Sequence, residues 1–145
     1  MEDTLATASV QHDFDLPVDV LWDLVGEFGN MSKWTGLPPE TCISDGEDIG
    51  AIRTLSLPNG TIIDRLDAKS EHSYSYSIVN MAEAPLPFSS YKARLAVRPI
   101  SESRSRLDWA GDFTPDQLTE AETVEFAQNM YRRGLDMMIR AAANL

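Results

Sequence analysis

The run from Leu118 to Ala143 constrains the fold more than any other stretch, because no other segment is long and periodic enough to make a full-length helix. At ~1.5 Å per residue such a helix is about 39 Å long, enough to cross a small domain. One apolar line follows Val124, Ala127, Tyr131, Leu135, Met138 and Ala142, and a second runs beside it through Phe126, Met130, Gly134, Met137 and Ala141. That stripe is wider than a coiled-coil seam and needs a broad concave partner. The chain before Asp112 reads as short strands separated by turn residues, which is what a curved antiparallel sheet wrapped around the helix requires.

Taken in order, Ala6 to Phe14 alternates as a half-buried strand, with Ala6, Ala8, Val10, His12 and Phe14 on its apolar side. Asp15 or Leu16 then caps a helix with Pro17 in its first turn and Val20, Leu21, Leu24, Val25 and Phe28 at helical spacing, stopped by Gly29-Asn30. Met31 to Trp34 forms a second short helical turn. Six strands follow, over Thr41 to Ser44, Ala51 to Leu57, Ile62 to Lys69, Ser73 to Asn80, Phe88 to Arg98 and Arg104 to Phe113, each bounded by turn residues. The expectation is an α+β fold: a seven-stranded curved antiparallel sheet around a long C-terminal helix, with two short helices after strand one. No linker or repeat divides residues 1–145, so a single domain is expected.

Composition narrows the partners. A formal charge of −11, with no Lys/Arg cluster to interrupt it, repels nucleic acid and anionic lipid surfaces. The first residues, MEDTLATASVQHDFDL, have no basic start or apolar core, and no window approaches ~18 apolar residues, so a cytoplasmic protein without a membrane segment is expected. Cys42 is the single cysteine and reads as a small buried hydrophobe; His12 and His72 are far apart, so no metal site is expected. His72 reads as solvent-facing. Asp45 to Asp48 reads as a solvated acidic loop, because the oxygen spacing of a calcium loop is missing. No cofactor is expected, and dimerisation is left open.

Alternation also decides which side chains face the helix. Ala51, Arg53, Leu55 and Leu57 share one face of their strand, and Ile62, Asp64, Leu66 and Ala68 share a face of the next. Each apolar face thus carries one charge, and opposite charges on neighbouring buried strands should pair. Arg53 and Asp64 read either as a satisfied core ion pair or as a polar anchor, with Arg53 holding a ligand carboxylate, phenolate or carbonyl. Tyr74 and Tyr76 with Ile78, Tyr91 with Ala93, Leu95 and Val97, and Trp109 with Leu107 and Phe113 face the same interior, as core packing or as ligand contacts. Met130, Met137 and Met138 are adaptable wall material. Gly134 in mid-helix costs ~1 kcal/mol against Ala, so a ligand or a close strand needs the space. His12 is a core histidine or a general base in the cavity.

The segments LPVDVLWDLVGEFGNMSKW (Leu16 to Trp34), GAIRTLSLPNGTIIDRLD (Gly50 to Asp67) and YSYSIVN (Tyr74 to Asn80), with Tyr91 and LDWAGDF (Leu107 to Phe113), resemble the helix-grip superfamily. That superfamily includes birch-pollen-allergen-like proteins, START lipid-transfer domains and bacterial polyketide cyclase/dehydrase-like proteins. Leu57-Pro58 and Asp64-Arg65-Leu66 are similar, more weakly, to the gate hairpin of plant abscisic acid receptors. Where those receptors place a carboxylate-binding lysine this chain has Glu40, Thr41 and Cys42, and Ala84 to Pro87 replaces their His-Arg-Leu latch. What the resemblance implies is the generic property, a cavity between sheet and helix that receives a hydrophobic small molecule.

The leading expectation is binding of a hydrophobic, aromatic or polycyclic, small molecule. The ligand-binding set expected is Arg53, Leu55, Leu57, Pro58, Ile62, Asp64, Tyr74, Tyr76, Phe88, Tyr91, Trp109, Phe126, Met130 and Gly134, in an enclosed pocket of roughly 300 to 1,000 Å³ against the last helix. Trp34, Leu57-Pro58 and the Pro85 to Phe88 loop would form its mouth. The alternative is a cofactor-free cyclase, dehydrase or lyase in the same cavity, in which Arg53 stabilises an oxyanion and Asp64, His12 or a tyrosine moves a proton. A third class, an interaction protein read through its gate, calls for an exposed apolar face at Leu57-Pro58.

Overall fold

The computed structural model describes residues 5–145. Alternation holds in β1 (Ala6–Phe14), whose Ala6, Ala8, Val10 and Phe14 are buried. In α1 (Val18–Val25), Leu21, Leu24 and Val25 are buried while Val20 points outward, since eight residues give only one apolar face. Pro17 itself is the N-cap, its carbonyl accepting from the Leu21 amide at 3.0 Å. The expected cap, Asp15, is instead engaged by Arg104 at 3.0 Å. The helix ends at Gly26, short of Gly29-Asn30, where a Cβ would run into the Trp22 ring. The brief α2 (Ser32–Thr35) closes on Gly36 at φ 72°, and a single 3-10 turn, Pro39–Thr41, leads into β2 (Cys42–Ser44).

The remaining strands are β3 (Ile52–Leu57), β4 (Gly60–Ser70), β5 (Ser73–Ile78), β6 (Phe88–Pro99) and β7 (Ser105–Pro115). All neighbours are antiparallel, and the seven strands lie in the order β1-β7-β6-β5-β4-β3-β2 in one open, curved sheet. β5 stops at Ile78 because Asn80 has left the ladder to cap it: its side chain accepts from the Ile63 amide and donates to the Thr61 carbonyl.

Two irregularities decide facing. The register shift between Leu66 and Ala68 turns Ala68 outward, so the inward face of β4 ends at Leu66, one residue pair earlier than strict alternation predicts. A second shift between Phe88 and Ser90 brings Phe88 onto the same face as Tyr91, which parity alone would forbid.

The helix α3 (Glu120–Ala143) starts two residues later than its apolar pattern, because Thr119 and Glu122 form a reciprocal capping box that leaves Leu118 outside. The two apolar lines divide the work. Ala127, Tyr131, Leu135 and Met138 are buried against the sheet, whereas Met130 and Met137 are half-buried and face a void. Close approach is set by small residues: Ala93, Gly111 and Ala8 lie side by side in one cross-strand row, and the Tyr131 hydroxyl fills the space a Gly111 side chain would take. The free edge of β1 is covered in part by α3, since the Ser9 amide donates to Gln128 Oε1 at 2.7 Å.

Candidate functional site

The β3–β4 register places Arg53 directly opposite Asp64, both facing α3 and each 2% exposed. Arg53 Nε and Nη2 both donate to Asp64 Oδ2, at 2.9 and 2.6 Å, while Nη1 donates to the Phe28 carbonyl at 2.9 Å and to the Tyr74 hydroxyl at 3.3 Å. The guanidinium carbon lies 4.3 Å from the Phe28 ring centre and 5.0 Å from that of Tyr76. Burial works against this charge, but Tyr74, Asp64 and Tyr76 outweigh it and hold Arg53 protonated beyond its ordinary range. At Asp64, burial pushes the carboxyl pKa up against the pull of Arg53.

Asp64 Oδ1, unlike Oδ2, has no hydrogen-bond partner, and neither does the indole Nε1 of Trp34. Both residues border a cavity of about 250 Å³ between the sheet, α2 and α3. Leu55 and Leu57 of β3, Ile62 of β4, Tyr76 of β5, Tyr91 of β6 and Trp109 of β7 form its sheet side; Met130, Gly134 and Met137 form its helix side. Thr35, Leu37 and Arg133 carry it to the surface. It is smaller and more open than the enclosed pocket the sequence suggests.

The tyrosines are engaged with one another. Tyr91 and Tyr131 share a hydroxyl–hydroxyl hydrogen bond, and Trp109 Nε1 donates to the Tyr76 hydroxyl at 3.2 Å. Burial raises the pKa of both Tyr76 and Tyr91, so both stay neutral phenols. Trp34 meets Trp109 edge-on at 6.1 Å. A Cβ on Gly134 would stand 2.5 Å from the Trp109 ring, so the strand, not a ligand, occupies the space that glycine opens.

Several expected residues lie elsewhere. Tyr74 sits behind Arg53, stacking edge-on with Phe28. Phe88 packs within an aromatic cluster with Tyr91, Phe113 and Phe126, one shell away from the cavity wall. Pro58 is exposed at the tip of the β3–β4 turn, while Gly60 of that turn packs on Pro85, 3.2 Å from where a Cβ would be. Of the mouth expected from sequence, Leu57 and Leu86 border the cavity and Trp34 is buried inside it. Leu57 is half-buried, so the turn presents no large exposed hydrophobic as a docking face. His12 is half-buried edge-on to Phe14 and does not border the cavity.

His72 is not simply solvent-facing: Nε2 lies 2.8 Å from Asp19 Oδ1 and its ring meets Trp22 edge-on. Asp19, Glu71 and His72 bring ligating atoms within 4.8 Å of one another, a surface cluster of two exposed acids and a histidine already engaged by one of them. Sequence reasoning missed the wall built by Met31, Ser32, Thr35, Leu37, Thr41 and Cys42. A four-residue helix has no period to read, and only its packing against α3 turns it inward.

A seven-stranded antiparallel sheet gripping one long helix, with an apolar cavity between them, defines a helix-grip protein. The profile of the family described as polyketide cyclase/dehydrase and lipid transport matches residues 6–143, and the chain belongs to that family. Among solved structures it is similar to an uncharacterised protein from Bacillus thuringiensis, with 28% identity over 95% of this chain and 99% of that one and a TM-score of 0.80. A START superfamily protein from Mycobacterium smegmatis shares the fold at 10% identity and TM-score 0.75, covering 95% and 97% of the two chains. Norcoclaurine synthase from Thalictrum does so at 12% identity and TM-score 0.73, covering 99% and 98%. No curated protein matches the sequence. Among the described residues, no helix is long and apolar enough to cross a membrane.

Proposed function

We propose that this chain binds a hydrophobic, aromatic or polycyclic, small molecule in the cavity between the sheet and α3. The observation that carries this reading is the cavity itself: about 250 Å³ of space walled by Leu55, Leu57, Ile62, Trp109, Met130 and Met137, which a well-packed domain would otherwise fill. Membership of a family described by lipid transport and polyketide chemistry supports it. The walls come from residues as distant as Met31 and Met137, so the chain acts as one unit in this reading. Arg53, with four of its five N–H donors engaged inside the protein, chiefly holds the floor.

The test is to fill the space. In nitrogen-edited NMR spectra, naphthalene should shift the indole resonances of Trp34 and Trp109. In Leu55→Phe, whose larger ring occupies the cavity, that response should vanish while the protein stays folded. An unchanged response in the folded variant would place binding elsewhere.

Asp64 favours a second reading, a cofactor-free cyclase, dehydrase or lyase. It is the one carboxyl on the cavity, it keeps an unpaired oxygen, and burial raises its pKa above the ordinary carboxylate value, the direction a general base needs. Exchange of deuterium into a bound carbonyl compound, lost in Asp64→Asn, would separate that reading from binding alone.

A further inference from the structure

The two ends of the cavity differ in charge. At its floor Arg53 and Asp64 are each 2% exposed and neutralise one another, so a charged ligand group pushed down to them would bring an uncompensated charge into an apolar space. At the open end, Arg133, Thr35 and Leu37 border the cavity where it meets the surface, and Ser32 and Thr41 add hydroxyls to that wall. Met130, Arg133, Gly134 and Met137 recur at helical spacing on α3 and all border the cavity, so the Arg133 stem lies along its rim. The Arg133 side chain is exposed, which keeps its head in water beside the opening.

Arg133 is the one cation on the cavity that no carboxylate holds: among the described residues it forms no ion pair, whereas Arg53 is bound to Asp64. Lys33, on the neighbouring α2, is committed to Glu27 and to the Asp23 carbonyl. Asp136 on α3 and Glu40 before Thr41 are exposed carboxylates, and neither pairs with Arg133. The hydroxyls are partly free. Ser32 Oγ donates to the Pro38 carbonyl at 3.4 Å, but Thr35 Oγ1 accepts from the Leu37 amide at 3.2 Å, which leaves its own O–H to donate.

Resting on the binding reading above, we infer that the cavity takes an amphipathic monoanion, with an apolar ring or chain inside and a carboxylate at the opening. Arg133 holds the carboxylate there, and the Thr35 hydroxyl is a second donor on the same rim. The acid end thus points outward, the reverse of what Arg53 suggests from sequence. A carboxylate at the opening keeps much of its hydration and gains charge-assisted hydrogen bonds, while the apolar body fills the space between Leu55, Ile62 and Met137. The net charge of −11 opposes any anion at long range, but solvent screens that repulsion beyond ~8 Å at physiological ionic strength, and the contact with Arg133 decides.

The full chain is titrated by calorimetry and nitrogen-edited NMR with naphthoate, naphthylmethylammonium and methylnaphthalene, substituted at the same ring position. Naphthoate should bind at least about tenfold more tightly than the ammonium, which sets a like charge beside Arg133. In Arg133→Gln, naphthoate should weaken by about three- to tenfold while methylnaphthalene binds as in the parent; Arg133→Lys should retain most of the naphthoate affinity. Because Arg133 is exposed, both variants are expected to fold. The indole resonances of Trp34 and Trp109 should move with naphthoate and with methylnaphthalene. Unchanged naphthoate affinity in Arg133→Gln, tighter binding of the ammonium, or naphthoate binding that leaves both indoles unmoved overturns the inference, and a methylnaphthalene response at the indoles still upholds the cavity reading. If none of the three binds, the cavity reading fails and this inference with it.

Discussion

Arg53 and Asp64 face each other because β3 and β4 pair in one register, and that register is closed by the Leu57–Gly60 turn. Between them the two residues place a full charge pair under Phe28, Tyr74 and Tyr76, out of contact with water. Such a pair adds little net stability when intact but is expensive to break. Arg53→Ala is therefore expected to lower stability by roughly 3–5 kcal/mol in urea denaturation at neutral pH. The deficit should shrink on acidification. Asp64 already has a folded-state pKa above its ordinary value, and losing Arg53 raises it further, so the folded variant takes up a proton that the unfolded chain binds less tightly. Stability of the variant relative to the parent then recovers as pH falls through that folded pKa. A deficit that grows on acidification would mean that Asp64 is not the group left exposed by the change.

At the scale of elements, α3 is both a structural spine and one wall of the site. Its approach to the sheet depends on Gly134 lying under the Trp109 ring and on Gly111 admitting the Tyr131 hydroxyl. Helix propensity alone favours Gly134→Ala by about 1 kcal/mol. The new Cβ, 2.5 Å from a rigid indole that is itself fixed by Tyr76 and packed at a tilt on Tyr131, forces a shift instead. The variant should lose about 1–3 kcal/mol, measured by chemical denaturation, and a gain would show that α3 can move away freely. These elements also show what could be read in advance. The long period of α3, the alternation of six of the seven strands and the turn residues between them were legible, because each repeats over enough residues to reveal its face. The bulges at Ala68 and Ser90, the short α2 wall and the early end of α1 at Gly26 were not, because each is a local departure decided by packing.

For the molecule as a whole, 23 acidic residues against 12 Lys and Arg leave a formal charge of −11. Surface pairs such as Arg106–Asp13 and Lys33–Glu27 neutralise only part of it, and pairs so exposed contribute little. Self-repulsion should make stability rise with salt. The melting temperature is expected to increase between about 0.01 and 0.15 M ionic strength, as the Debye length falls from ~30 to ~8 Å. A decrease would mean that the attractive pairs dominate. Periodicity and alternation are properties of the chain, and from them alone follow a curved antiparallel sheet holding one amphipathic helix and two opposite charges on the sheet's inner face. What those charges do is settled by packing between distant elements. Arg53 turned out to be consumed by Asp64, Phe28 and Tyr74, and the unpaired atoms fell to Asp64 and Trp34. Hydrogen-bond satisfaction depends on distances between elements far apart in the chain, and no spacing in the sequence encodes which oxygen of a carboxylate is left without a partner.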